Sequence, residues 1–305
     1  MPRIEIAEPL TLFAPAKLNL GLEVLGRRAD GFHQIVSILQ TVSIFDRIDL
    51  LPARHLSYVA IGGIRRDEDL VWRALRVAET RLDVTIAAEI RLHKSIPVAA
   101  GLGGGSSDAG TLLGALASLI GLTRDTAREA AAALGSDVPF FVSGGTATAR
   151  GTGARVSSLP DLRRAWFVVV TPDLILPEKT RTLYGELKPT DLSNGDATQM
   201  LEERIRAGDA LDPRLMTNSF TRPLLARAEV RRAVEVLRAA GAELVLPAGA
   251  GPSVFAPVRG IGDAKRLSAG VASAGYVCRV CTTVRAGLND GRLAAATVRQ
   301  STPRE

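Results

Sequence analysis

The stretch Lys94-Ser-Ile-Pro-Val-Ala-Ala-Gly-Leu-Gly-Gly-Gly-Ser-Ser-Asp108 sets four glycines, Gly101, Gly103, Gly104 and Gly105, ahead of two hydroxyls, Ser106 and Ser107, at the start of a helical pattern. Glycines leave backbone N–H groups open to close approach by an anion, and the helix that follows adds the partial positive charge of its N-terminus. The segment therefore reads as a cradle for the phosphates of a nucleotide. It is not a Walker loop, because no Gly-Lys-Ser/Thr closes it, and it lacks the spacing of a dinucleotide-binding fingerprint. From the residues alone, a flexible linker or a tight packing turn stays open.

Working toward the N-terminus, Val84 to His93 reads as a strand, and Asp67 is a candidate cap for a helix whose apolar face holds Leu70, Val71, Ala74, Leu75 and Ala78. The opening 60 residues predict strands over Thr11–Leu25 and Val42–Leu51 around the turn-rich Gly26–Gly31. Working toward the C-terminus, Asp108–Ile120 predicts a buried helix, Thr123 caps a second that ends at Gly135, and Gly145–Leu159 forms a hairpin turning at Gly151-Thr-Gly153. Ala165–Val170 reads as a central strand, and the polar run from Lys188 to Pro213 as the loosest part of the chain. A helix from Leu225 to Ala240 follows, then strands at Glu243–Leu246 and Ser253–Pro257, a helix near Asp263–Ala274, and a strand holding both cysteines. A chain of 305 residues is long for one core, so a domain seam is expected near residue 160.

With 46% hydrophobic and 23% charged residues, the chain has the composition of a globular protein. The opening residues lack the apolar core of a secretory signal and no stretch reaches the length of a membrane span, so the expectation is a cytoplasmic protein with no membrane partner. The net charge of +6 is scattered, without a basic run interleaved with aromatics; attraction for anionic small molecules is expected and nucleic acid is not. Cys278 and Cys281 lie three apart on a strand and face opposite sides, which opposes a disulfide between them and leaves packing as their role.

Three polar residues carry candidate chemistry. Asp137, after Gly135-Ser136, is placed on a loop where a carboxylate is able to take a proton from an attacking hydroxyl, although an Asp there also serves as a cap. Lys17 lies in an apolar strand, where an ammonium needs a partner, a function or a route to solvent. Asn19 shares its face by strand alternation, positioned to bond a substrate or to hold Asp137.

Three ordered motifs, Ala14-Pro-Ala-Lys-Leu-Asn-Leu-Gly21, Pro97 to Ser107, and Leu246-Pro-Ala-Gly-Ala-Gly-Pro-Ser-Val-Phe255, resemble the GHMP small-molecule kinases. Lys17-Leu-Asn-Leu, Arg28-Ala-Asp-Gly-Phe-His33 and Gly135-Ser-Asp-Val-Pro-Phe-Phe141 resemble one branch, which phosphorylates the 2-hydroxyl of a cytidine diphosphate conjugate of methylerythritol on the non-mevalonate isoprenoid route. The resemblance implies an α+β, two-domain fold. Residues 1–160 would form a β-rich nucleotide-binding domain with the phosphate loop, and residues 161–305 a ferredoxin-like αβ domain that contributes to the substrate site.

The same resemblance implies ATP and Mg2+, with Lys94, Pro97, Gly101, Gly103, Gly104, Gly105, Ser106 and Ser107 at the nucleotide and Ser106 or Ser107 at the metal ion. It makes Asp137 the base and pairs Lys17 with it. It places Asn19, Gly249 and Gly251 at the substrate, Phe32 and Tyr184 as stackers on cytosine, His33 as a hydrogen-bonding partner of the base, and Thr180 beside Tyr184. Two departures stand out. Phe32 takes the place of the more usual Tyr, and the third motif has Ala248 and Ala250 where hydroxyl residues flank its first glycine, leaving Ser253 as the nearest hydroxyl.

Overall fold

The computed structural model describes residues 2–61, 69–296 and 298–301. The N-terminal half supplies β1 (Arg3–Ile6), β2 (Leu10–Arg27), β3 (His33–Pro52), β4 (Ser57–Ile61), β5 (Thr85–His93), β6 (Thr146–Gly151) and β7 (Arg155–Ser158), with helices α1 (Leu70–Arg81), α2 (Gly104–Leu119), α3 (Arg124–Ala131) and α4 (Val138–Phe141). The C-terminal half supplies β8 (Trp166–Val170), α5 (Lys179–Gly185), α6 (Asp196–Arg206), β9 (Thr217–Asn218), α7 (Thr221–Leu225), α8 (Ala228–Ala239), β10 (Leu246–Pro247), β11 (Val254–Val258), α9 (Ile261–Ser273), β12 (Cys278–Thr282), α10 (Asp290–Ala294) and β13 (Val298–Ser301).

The long hairpin of β2 and β3 is the spine of the first sheet, whose order runs β13-β1-β5-β3-β2-β9, with β4 on β5 and the β6–β7 hairpin on β3. One face of this sheet packs on α1, α2 and α3 through Leu12, Ile48, Ile90, Leu75, Leu112 and Leu116. The second sheet, β10-β11-β8-β12, is antiparallel throughout and arises from a βαββαβ order in which α8 and α9 are the connections, the ferredoxin-like arrangement. A separate core containing Leu18, Leu20, Ile38, Phe167, Val169 and Phe255 joins the two sheets. Because β2 is covered on both sides, it reads in sequence as a nearly continuous apolar run.

Several expectations change. The α1 helix is capped by Asp69, which accepts from Val71 N; Asp67 lies outside the described residues. Helix α2 begins at Gly104, so the last two glycines and both serines form its first turn. The run from Lys188 to Pro213 is not loose. It contains α6, whose Leu201 and Ile205 are buried and whose Thr198 N donates to the buried Glu23 carboxylate at 2.7 Å. A second sheet does begin just past residue 160, but β9 returns to pair with β2 and β13 with β1, so the first sheet is completed by the C-terminal half. Cys278 and Cys281 are unpaired and belong to different cores, and burial pushes the Cys281 thiol up to about 12.

Candidate active site

Strand β2 points Ala16, Leu18 and Leu20 into the core between the sheets, and alternation turns Lys17 and Asn19 the other way, toward the glycine loops. Register shifts at Pro15/Ala16 and Asn19/Gly21 bracket the pair and set their aim. Lys17 is 6% exposed, and its Nζ donates to Asn19 Oδ1 at 2.5 Å. Asn19 Nδ2 donates onward to Ser37 Oγ at 2.7 Å, which donates to Gly21 O. Asn19 therefore holds Lys17 rather than Asp137. Burial pushes the Lys17 ammonium below its ordinary range, the Asp137 carboxylate opposes this, and Lys179 adds to it.

The two glycine loops meet over this pair. Lys17 N donates to Leu102 O, Asn19 N to Ala248 O, and Ser253 N to Ala100 O, which ties β2, the first loop and the third loop together. A Cβ on Gly251 would lie 2.5 Å from Gly101 Cα, and one on Gly249 would lie 2.7 Å from Asn19 Oδ1 and 2.8 Å from Lys17 Nζ. Gly249 and Gly251, the two expected substrate residues, are both buried, Gly249 against Lys17 and Asn19 and Gly251 against the backbone of Ala100 and Gly101. Ser253, expected as a spare hydroxyl for phosphate, is fully buried and bonded to Thr171 Oγ1 at 2.9 Å. Asn218 Nδ2 clamps the third loop by donating to Pro247 O and Gly249 O.

In the first loop, Gly103 has φ +76°, a conformation that favours glycine, and a Cβ there would press on Phe141 and on the Lys17 stem. Gly105 has room around it, with Leu70 Cδ1 at 3.5 Å. Pro97 and Ser106 are half-buried at the two ends of the loop. Ser107 is not placed for a metal ion: it is fully buried and its hydroxyl donates to Pro15 O at 2.6 Å.

Lys94 sits beneath the loop between two buried carboxylates, bonded to Asp46 Oδ2 and, at 2.6 Å, to Asp108 Oδ2. Burial opposes its charge, but the two aspartates outweigh this and hold its pKa above the ordinary value. Burial, with Asp46 beside it, pushes the Asp108 carboxyl well up, and Asp108 Oδ1 has no partner among the described residues. Lys94 is thus engaged inside the protein, and a Cβ on Gly104 would approach its Nζ to 3.3 Å and Ile96 Cγ2 to 3.0 Å. Branching at Gly104 would disturb this cluster before it reached a phosphate.

Asp137 precedes α4 and is half-buried, and its side chain caps no backbone N–H. It acts on Lys17, Lys179 and Tyr184 through its charge, without an ion pair to either lysine among the described residues. Tyr184 is pushed up to about 12 by burial, with Asp137 adding to it. The tyrosine ring stacks on His33 with centroids 4.6 Å apart and meets Phe220 edge-on at 5.0 Å. Burial, then Arg27, lowers the His33 pKa. Of the two expected cytosine stackers, Tyr184 is stacked on His33 and Phe32 is 64% exposed. Thr180 is exposed in the first turn of α5.

The structure thus packs Lys17 against Asn19, Gly103 and Gly249, sets Asp137 where its charge acts on both Lys17 and Tyr184, and stacks Tyr184 on His33. Sequence reasoning missed Asp46 and Asp108 as partners of Lys94, Phe220 as the backing for Tyr184, Asn218 as a clamp, and Lys179. A buried Asp at the first turn of an apolar helix was the available signal for Asp108; an isolated lysine gives none. Among the described residues, no group of three metal-ligating side chains is present, and no helix is long and apolar enough to cross a membrane.

The family model for the N-terminal domain of GHMP kinases matches residues 69–145. A 4-diphosphocytidyl-2-C-methyl-D-erythritol kinase of Dehalococcoides mccartyi is 36% identical over 282 residues, covering 90% of this chain and 98% of that protein. The Listeria monocytogenes protein of the same name is 34% identical over 86% of this chain and 91% of its own length. A crystal structure of 4-(cytidine 5'-diphospho)-2C-methyl-D-erythritol kinase superposes with a TM-score of 0.77 at 33% identity, over 90% of this chain and 99% of that one. Homoserine kinase from Cytophaga hutchinsonii, at 18% identity and a TM-score of 0.68, shares the fold.

Proposed function

The chain belongs to the 4-diphosphocytidyl-2-C-methyl-D-erythritol kinases within the GHMP family, and from that premise we propose how its cleft performs the reaction. It is an ATP-dependent small-molecule kinase that phosphorylates the cytidine diphosphate conjugate of methylerythritol in isoprenoid biosynthesis. The observation that carries the mechanism is Lys17, buried against Gly103 and Gly249 with its ammonium under the influence of Asp137.

The 2-hydroxyl oxygen attacks the γ-phosphorus of ATP, its proton passes to the Asp137 carboxylate, the bond from the γ-phosphorus to the β,γ-bridging oxygen breaks, and ADP leaves. Lys17, fixed by Asn19, stabilises the negative charge on the transferring phosphoryl group. Backbone N–H groups of Gly101, Gly103, Gly104 and Gly105, at the start of α2, hold the phosphates. Lys94 acts from beneath, bracing the loop through Asp46 and Asp108. Ser106 is the hydroxyl that would hold Mg2+, which when bound would neutralise charge on the β- and γ-phosphates. His33 and Tyr184, with Thr180 beside them and Phe32 closing from solvent, take the cytosine.

Residues 1–160 supply the nucleotide side, and residues 161–305 contribute Thr180 and Tyr184 to the acceptor side. The enzyme works in the cytoplasm, without nucleic-acid or membrane partners. Steady-state ATP turnover across a panel of alcohols tests the reading: the cytidylated acceptor is turned over and homoserine and mevalonate are not. Turnover of an uncytidylated alcohol in its place would move the chain to another GHMP activity.

A further inference from the structure

Lys179 is the first residue of α5, half-buried, and its ammonium makes no hydrogen bond and no ion pair among the described residues. The neighbouring Glu178 pairs with Arg181 instead, at 3.3 Å. Three features of this position disfavour a lysine. The charge is partly withdrawn from water without a bonded partner. It stands at the positive end of a helix. It also faces a second ammonium, that of Lys17. The backbone before it is strained as well: Glu178, the residue preceding the helix, is a non-glycine at φ +43° and ψ +38°. Strain and unpaired charge collected in one place point to a role in binding.

Asp137 acts by its charge on both Lys17 and Lys179, so two ammoniums gather around one carboxylate, an arrangement that selects an anion. Burial lowers the Lys179 pKa and Asp137 partly restores it. The glycine loop and Lys17 approach from the first sheet. Lys179 approaches from α5, the element that carries Tyr184. Lys179 and Tyr184 are five positions apart, about 7.5 Å along a helix axis. That is comparable to the distance from a stacked pyrimidine across a ribose to its diphosphate. We propose that Lys179 is a substrate-binding residue that neutralises the diphosphate bridge of the acceptor. This rests on the acceptor being a cytidine diphosphate conjugate.

The test compares Lys179→Met and Lys179→Arg with the parent, using cytidine and CDP as inhibitors competing with the acceptor, together with KM for ATP and a thermal melt. In Lys179→Met, the CDP inhibition constant and the acceptor KM should rise about tenfold to a hundredfold, the loss expected for a hydrogen bond to a charged group. Cytidine inhibition and the ATP KM should stay within about twofold of the parent, because neither requires the diphosphate contact. The melting temperature should equal or exceed the parent's, since an unfavourable charge has been removed. Lys179→Arg should recover most of the CDP inhibition. Unchanged CDP inhibition in Lys179→Met overturns the proposal, as does a rise in ATP KM with CDP inhibition intact, which would assign the ammonium to the γ-phosphate. A parent that CDP fails to inhibit removes the cytidylated acceptor and this proposal together, whereas a variant inhibited as well as a CDP-sensitive parent removes the proposal alone.

Discussion

Lys17 and Lys179 both feel the charge of Asp137 and are held in opposite ways. Lys17 comes from the middle of a long strand, is bonded to Asn19, and is walled in by Gly103 and Gly249 with no room for a methyl group. Lys179 opens a seven-residue helix, has no bonded partner among the described residues, and follows a strained residue. The same contrast extends to each side. On the nucleotide side, backbone bonds lock β2 and two glycine loops together; on the acceptor side, an exposed phenylalanine stands beside a short aromatic column. Phosphoryl transfer needs charges fixed in advance, so that no reorganisation is required at the moment of reaction. Recognition of a long conjugate tolerates side chains that settle on the ligand.

The largest expected effect tests whether the fixed side carries the chemistry. Asp137→Asn should lower kcat by about a hundredfold or more, the scale of a lost general base. Because the Asp137 side chain caps no backbone N–H and is half-buried, the melting temperature should stay near the parent's. A kcat within a few-fold of the parent would take the base away from Asp137.

Rigidity itself is tested by Gly251→Ala. The added methyl would sit 2.5 Å from Gly101 Cα and 2.7 Å from Gly101 N, backbone atoms that have no rotamer to escape into. Overpacking of this kind costs about 1–3 kcal/mol, so the variant should melt lower and also show a raised KM for ATP. Gly105→Ala is the control, since its methyl meets only Leu70 Cδ1 at 3.5 Å, an ordinary contact. Equal melts for the two variants would show that the loops are not locked together.

The fixed side was also the more legible one. Glycines, a lysine in an apolar strand and a carboxylate after a turn are each residue choices with a local physical reason, whereas their meeting was implied only by the family resemblance. The boundary of α2 was misread because glycine is a poor helix former; tertiary packing against Ile96 and Leu70 lets the first turn form there. Helix α6 was missed because its buried face is carried by few apolar residues, chiefly Leu201 and Ile205. Strands β9 and β13 are completed by partners about two hundred residues or more away, which no local pattern reports. Lys179 and the stacking of His33 on Tyr184 depend on how α5 docks against the first sheet, and so were legible only in three dimensions.

On the acceptor side, Tyr184→Ala is expected to cost more than Phe32→Ala. The tyrosine ring carries contacts to both His33 and Phe220, so its removal loses a base stack worth roughly 1–3 kcal/mol and also frees the histidine. The acceptor KM should rise about tenfold to a hundredfold, with a lowered melt and an ATP KM close to the parent's.

Phe32 sharpens the comparison most finely, because its ring is 64% exposed and its backbone is held only by the turn from Arg28 to Phe32, where Arg28 N donates to Phe32 O and Phe32 N to Asp30 Oδ1. Removing that ring takes nothing from the core, so Phe32→Ala should melt with the parent. If the ring closes over the base when the acceptor binds, ordering it costs part of what stacking gains, and the net loss falls at the low end of the stacking range, about fivefold to tenfold in acceptor KM. The Ala substitution leaves the backbone bonds of the turn in place, so the effect isolates the ring. Phe32→Tyr should keep the acceptor KM within about twofold of the parent, because the stacking face is retained. An acceptor KM in Phe32→Ala equal to the parent's would show that the column of His33, Tyr184 and Phe220 recognises the base without a lid. A loss as large as that of Tyr184→Ala, with an unchanged melt, would show that the exposed ring is half of the slot and that the acceptor side becomes as ordered as the nucleotide side once substrate is bound.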